Sequence, residues 1–230
     1  LVYTNFSFEG RTDEGLGYIR YDSARKIFKQ MEKKGFTPER IFQEASRSFY
    51  NSLLDIDLKN PDESPNKHSG WFVEQDFIPR SESTASIVIQ GVKPGISPEH
   101  TVMWTMLGYP PTSIALPLWV KTGKDQPSFI QYDAALQTAP LCYYASRLKD
   151  KVYSIHRGNG QKYLHWQLLW NDENTGYIQQ LQDAETQIFR LFETISSTND
   201  KQFPDTEKIK ASYKQAESII TTTYRQLDAL

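Results

Sequence analysis

Two clusters of turn residues, Gly91–Pro98 and Gly108-Tyr109-Pro110-Pro111, divide a β-favouring stretch into three runs: Thr84–Gln90, His100–Leu107 and Ser113–Val120. Links this short cannot carry the crossover that parallel strands require, so the runs predict an antiparallel meander. An earlier run, Val2–Phe8, is rich in β-favouring residues and predicts a short strand with Asn5 near its middle. A polar, glycine-containing loop through Gly17 follows it.

Around these strands the pattern is helical. Asp22 is placed to cap a helix over Ser23–Lys34, with Ala24, Ile27, Phe28 and Met31 on one face and Gly35 as its stop. Thr37-Pro38 has the order of a cap and first-turn proline, and Ile41, Ala45, Phe49 and Leu53 would line the buried side of the helix it starts. Residues 57–83 read as a long loop pinned by Trp71, Phe72 and Phe77. Pro140 opens another helix carrying Leu141, Tyr144, Ala145 and Leu148, followed by a strand near Val152–His156. From about Tyr163 the pattern predicts helix almost to the end. Ile178, Leu181, Ile188, Leu191, Phe192 and Ile195 mark one amphipathic helix, and Ile209, Tyr213, Ala216, Ile220, Tyr224 and Leu227 a second, with Ser196–Pro204 as the loop of a hairpin.

Charge excludes several partners. The 26 basic and 28 acidic residues are dispersed and leave a net charge of −2, so no footprint for nucleic acid exists. The basic cluster Lys29–Lys34 reads as a solvated helix face. No apolar run approaches the roughly 20 residues of a membrane span. A single cysteine provides neither an internal disulfide nor zinc spacing, and His68, His100, His156 and His165 lack the i,i+4 pairing of a helical metal site. No metal or cofactor is expected. Gly158-Asn159-Gly160 is a turn without the features of a phosphate cradle. Cys142, in an apolar helix start, reads as a small buried hydrophobe, with a thiol nucleophile as the alternative.

The residues that point to chemistry are Asn5 and Arg20. A strand-held Asn amide can donate to an oxyanion, and an Arg fork can fix a carboxylate or carbonyl nearby. Without context, Asn5 is also readable as a strand-edge residue and Arg20 as a surface or capping cation.

Tyr3-Thr4-Asn5-Phe6 followed by Gly17-Tyr18-Ile19-Arg20 resembles a stretch of the N-terminal-nucleophile amide hydrolases and acyltransferases related to isopenicillin N acyltransferase and acid ceramidase. Arg80 with Ser83–Ile89, then Met103–Pro110, Ser113 and Pro117-Leu118-Trp119, looks like later strands of secreted bacterial members. The resemblance covers roughly residues 1–120, and Trp104-Thr105-Met106-Leu107-Gly108-Tyr109-Pro110 is its most distinctive piece. It implies an α+β chain forming part of a four-layer αββα fold with antiparallel sheet. Residues 1–165 would be the C-terminal portion of that domain, and 166–230 a helical appendage packed on it.

The resemblance further implies an autoprocessed N-terminal Cys that attacks a small-molecule linear amide or acyl donor, with Asn5 as oxyanion donor and Arg20 as site support. It also implies a secreted or periplasmic bacterial setting. Because the sequence opens on Leu1, the expectation is that the chain begins inside a domain. The nucleophile would lie on an upstream segment or a second chain, and the isolated chain would be inactive. The alternative reading is a non-enzymatic binding or structural protein using the aromatic loop 71–77 and the helical tail. Exposed loop aromatics would favour that alternative, whereas burial returns them to the core.

Overall fold

The computed structural model describes residues 17–63, 69–74, 76–156, 158, 162–196 and 205–229. Helix α1 spans Tyr18–Glu32, five residues earlier at its start than the Asp22 cap predicts. Gly17, in the left-handed region at φ 80°, turns the chain into the helix instead. Asp22 lies inside the helix and pairs with Arg25 and Lys26 on the next turn.

Thr37 caps the next helix as expected, its hydroxyl accepting from the Arg40 N–H at 3.2 Å, and Pro38 opens it. This helix, α2 (Pro38–Arg40), passes directly into a π-helical segment, Ile41–Ser46. The wider π turn carries more residues per turn than an α-helix and rotates the buried face. Phe42 and Ala45 are therefore buried, while Leu53, predicted on the inner face, lies beyond the helix and is exposed.

Strands β1 (Tyr50–Asn51) and β2 (Ile56–Asp57) form a small antiparallel hairpin. Strand β3 (Trp71–Val73) rises out of the predicted long loop. The meander is present as predicted: β4 (Ala85–Gln90), β5 (Val102–Leu107) and β6 (Leu116–Trp119) pair antiparallel in that order. Helix α3 (Pro140–Val152) starts at its proline and buries Leu141, Ala145 and Leu148. It approaches the sheet closely at Gly108, where φ is +87° and an added Cβ would stand 2.7 Å from that of Ala145.

The start of the helical region predicted from about Tyr163 is instead a strand, a single turn and an irregular segment, ahead of the two predicted helices. Strand β8 (Lys162–His165) pairs on one edge with β3 and on the other with β7 (Ile155–His156), giving a second antiparallel sheet. A single turn, α4 (Trp166–Leu169), follows. The Gln179 side chain then bonds Asn171, Asn174 and Gly176, holding an irregular segment before α5 (Tyr177–Ser196). Helix α6 (Thr206–Gln226) closes the chain, capped by Asp205. The predicted hairpin loop lies outside the described residues beyond Ser196.

The fold is thus mixed α+β with antiparallel sheets and a helical C-terminal region. Helices α5 and α6 pack together and share one core with the meander. Trp104 of β5 stacks on Phe189 with centroids 4.4 Å apart and meets Phe192 edge-on, and Trp119 of β6 packs against Phe192 and Tyr213. A second cluster holds Phe49 in ring contact with both Phe77 and Trp166.

Candidate functional site

Strand pairing fixes which side chains share a face. In the meander, Val88, Trp104 and Pro117 are cross-strand partners and point one way, as do Val102 and Trp119. That face carries the helices. The opposite face carries Ala85, Ile87 and Ile89 of β4, with Met103 and Leu118 beside Ile89. It is closed over Thr105 and Leu116, but Ile87 is 53% exposed and Ile89 69%, with Met103 and Leu118 only part-buried. One side of the sheet is a packed interior, and on the other the β4 edge, with Ile87 and Ile89, is an apolar surface facing water.

Near the start of β4 lies a polar cluster built by five segments of the chain. Antiparallel pairing sets the end of β3 against β8, with the Glu74 N–H donating to the Lys162 carbonyl at 2.9 Å. Glu74 and Lys162 therefore leave the same end of the sheet. The turn 80–83 closes by reciprocal bonds between Arg80 and Ser83 and drops Ser81 between them. The Glu74 carboxylate accepts from the Ser81 N–H at 2.7 Å and from its hydroxyl at 3.1 Å. It also accepts from the Tyr153 hydroxyl at 3.1 Å, and Tyr109 stands 3.0 Å behind Tyr153. The Lys162 ammonium donates to the Ser81 hydroxyl at 2.7 Å and pairs with Glu82.

These contacts decide what the cluster can do. The Ser81 hydroxyl donates to Glu74 and accepts from Lys162, so its proton and a lone pair are both engaged within the cluster. Burial pushes the Tyr109 and Tyr153 hydroxyls far above their ordinary range, keeping both as neutral donors. Burial alone would raise the Glu82 carboxyl, but hydrogen bonds from Lys162, its own N–H and Ser81 outweigh it and leave it below its ordinary value. The cluster is a brace that fixes the turn carrying Arg80.

Arg20 sits in the first turn of α1, beside that turn. Its Nε is buried without a hydrogen-bond partner among the described residues. Burial, and then the Arg80 guanidinium next to it, hold Arg20 below its ordinary pKa, while Asp76 and Glu82 act in the opposite direction. A part-buried guanidinium with an unused donor suits a carboxylate or carbonyl group. Asn5, the proposed oxyanion donor, lies outside the described residues.

The other sequence candidates have structural settings. His165 stacks on Trp71 at 4.4 Å, and burial lowers its pKa, disfavouring the cation. Cys142 is half-buried in the first turn of α3, with its backbone against Gly108. Phe77 is fully buried and Phe72 packs on the same cluster, so these aromatics of the 71–77 loop serve the core. No group of three or more His, Cys, Asp or Glu is placed to hold a metal among the described residues, and no described helix is long and apolar enough to cross a membrane.

Sequence reasoning missed a buried ion pair. Arg47 and Glu185 are both fully buried, and the guanidinium grips the carboxylate through two bonds of 2.8 and 3.0 Å. Arg47 also donates to the carbonyls of Pro110 and Ser113, and Glu185 accepts from the Ala115 N–H. The signal was a charge at position 185 within the apolar stripe formed by Leu181, Ile188 and Phe192. The pair joins the π segment, the loop after β5 and α5. No family model, curated protein or solved structure matches the chain.

Proposed function

We propose that this chain is the oxyanion side of an amide hydrolase or acyltransferase acting on linear, non-peptide carbon–nitrogen bonds. The nucleophilic Cys comes from a further polypeptide segment, upstream or in a second chain. The reading rests on the resemblance of residues 1–120 to the N-terminal-nucleophile enzymes, and the observation that carries it is the one-sided meander. A sheet with α5 and α6 on one face and uncovered Ile87 and Ile89 at the β4 edge of the other supports this reading, since a second sheet packing about 10 Å away in an αββα sandwich would cover that edge.

In the completed site the thiolate attacks the amide carbonyl, and the α-amine of that Cys takes the thiol proton and returns it to the leaving amine. The Asn5 amide donates to the oxyanion as charge develops. Arg20, held beside Arg80, steadies a carboxylate or carbonyl of the substrate away from the reacting bond. The resemblance also favours a secreted or periplasmic setting.

The test is to combine the chain with a segment carrying the proposed N-terminal Cys, whether upstream in its gene or from a second chain, and assay short N-acyl amides. The combined change Ile87→Glu and Ile89→Glu should leave the melting temperature of the isolated chain almost unchanged, because both residues already face water. It should abolish assembly and amide cleavage together. Unimpaired assembly and turnover in that variant, or a supplied segment that yields no amide cleavage, would sink the reading.

A further inference from the structure

A cavity of about 290 Å³ opens between α1, the π segment and the β1–β2 hairpin, lined by Lys26, Gln30, Glu44, Ser48, Tyr50 and Lys59 among others. Its two cations differ. Lys26 is tied to Asp22 at 3.2 Å and lies 3.4 Å from the Tyr50 hydroxyl. Lys59 makes no ion pair among the described residues. Its ammonium reaches only the Gln43 carbonyl, at 3.4 Å, and stands 5.3 Å above the Trp170 ring. A part-buried ammonium with most of its donors unused is costly, and an anion in the adjoining cavity would relieve it.

We propose that this cavity binds a small monocarboxylate, whose oxygens pair with Lys59 and are met by the Ser48 hydroxyl and the Gln30 amide. The inference is independent of the amide-hydrolase reading. The charge count allows at most a monoanion: Lys59 has no ion pair among the described residues, and Glu44 and Asp57, which also line the cavity, oppose a second negative charge. The volume is near the lower limit of small-molecule pockets, so the ligand is a short-chain acid.

The groups acting on Lys59 come from several elements. Burial lowers its pKa to about 8; Asp57 of β2 raises it, Arg47 lowers it, and Glu44 of the π segment raises it. Lys26 of α1 and the Tyr50 hydroxyl of β1 share the cavity wall. The carboxylate requires the ammonium form. Affinity should therefore be flat from about pH 6, where the carboxylate is fully ionised, to about pH 8 and fall up to tenfold per pH unit above it, and the bound ligand should raise the Lys59 pKa.

The experiment uses the whole chain, with butyrate as probe and phosphate as comparison. Binding is followed by calorimetry, and Lys59 reactivity by acetic anhydride labelling with mass spectrometry across pH. The expected result is saturable butyrate binding that protects Lys59 from labelling, at least tenfold weaker in Lys59→Met and several-fold weaker in Ser48→Ala. The Ser48 variant decides the matter if Lys59→Met fails to fold. Absence of saturable butyrate binding, preference for phosphate, pH-independent affinity, or full affinity in a folded variant of Lys59 would overturn the proposal.

Discussion

Arg47 and Arg20 are the same residue in opposite circumstances. Arg47 is sealed in the core with every nitrogen engaged, by Glu185 and the carbonyls of Pro110 and Ser113. Arg20 sits at the border of the fold with its Nε buried and unpartnered among the described residues, and with a second guanidinium beside it. A guanidinium whose donors are all used inside the protein serves stability. One kept short of acceptors has capacity left for a ligand. The difference marks Arg20, and not Arg47, as the guanidinium with a donor to spare among the described residues.

The sharpest way to break the comparison is at the core pair. Glu185→Ala strands the Arg47 cation and leaves the Ala115 N–H without its acceptor, and should cost about 3–5 kcal/mol by urea denaturation. Replacing both partners with Met and Leu should recover only part of this, because the Pro110 and Ser113 carbonyls also lose their donor. Full recovery would mean that the surrounding bonds contribute nothing. Next in size, Gly108→Ala should cost about 1–3 kcal/mol, since φ is +87° and the new methyl meets Ala145. A neutral result in the same melts would place α3 farther from β5.

Smaller again is Tyr153→Phe, which takes one donor from Glu74 and leaves Tyr109 without its partner. A loss of about 1–2 kcal/mol is expected. Last, Arg20→Ala should change stability by no more than about 0.5 kcal/mol, because the Nε has no acceptor to lose and its removal relieves the repulsion from Arg80. A large loss there would turn Arg20 into a second Arg47 and remove the contrast.

Much of the fold was legible because periodicity reports burial. Ile209, Tyr213, Ala216, Ile220, Tyr224 and Leu227 are all buried as their spacing predicts, and the meander pairs in its expected order. Periodicity failed where local geometry departed from the α-helix. The π turn moved Phe42 inward and left Leu53 outside, and β8 took its structure from long-range pairing with β3 and β7. For the site, sequence singled out Arg20 but gave no sign of the brace around Glu74. That brace joins residues 74, 81, 109, 153 and 162, which meet only once both sheets and α3 are in place.

The most direct measurement is kcat/KM for short N-acyl amides after assembly with the nucleophile-bearing segment, in the parent protein and in Asn5→Ala. An oxyanion donor contributes about 2.7–4 kcal/mol to the transition state, so kcat should fall about a hundredfold or more with KM little changed. An assembled enzyme whose kcat is indifferent to Asn5→Ala would contradict the account.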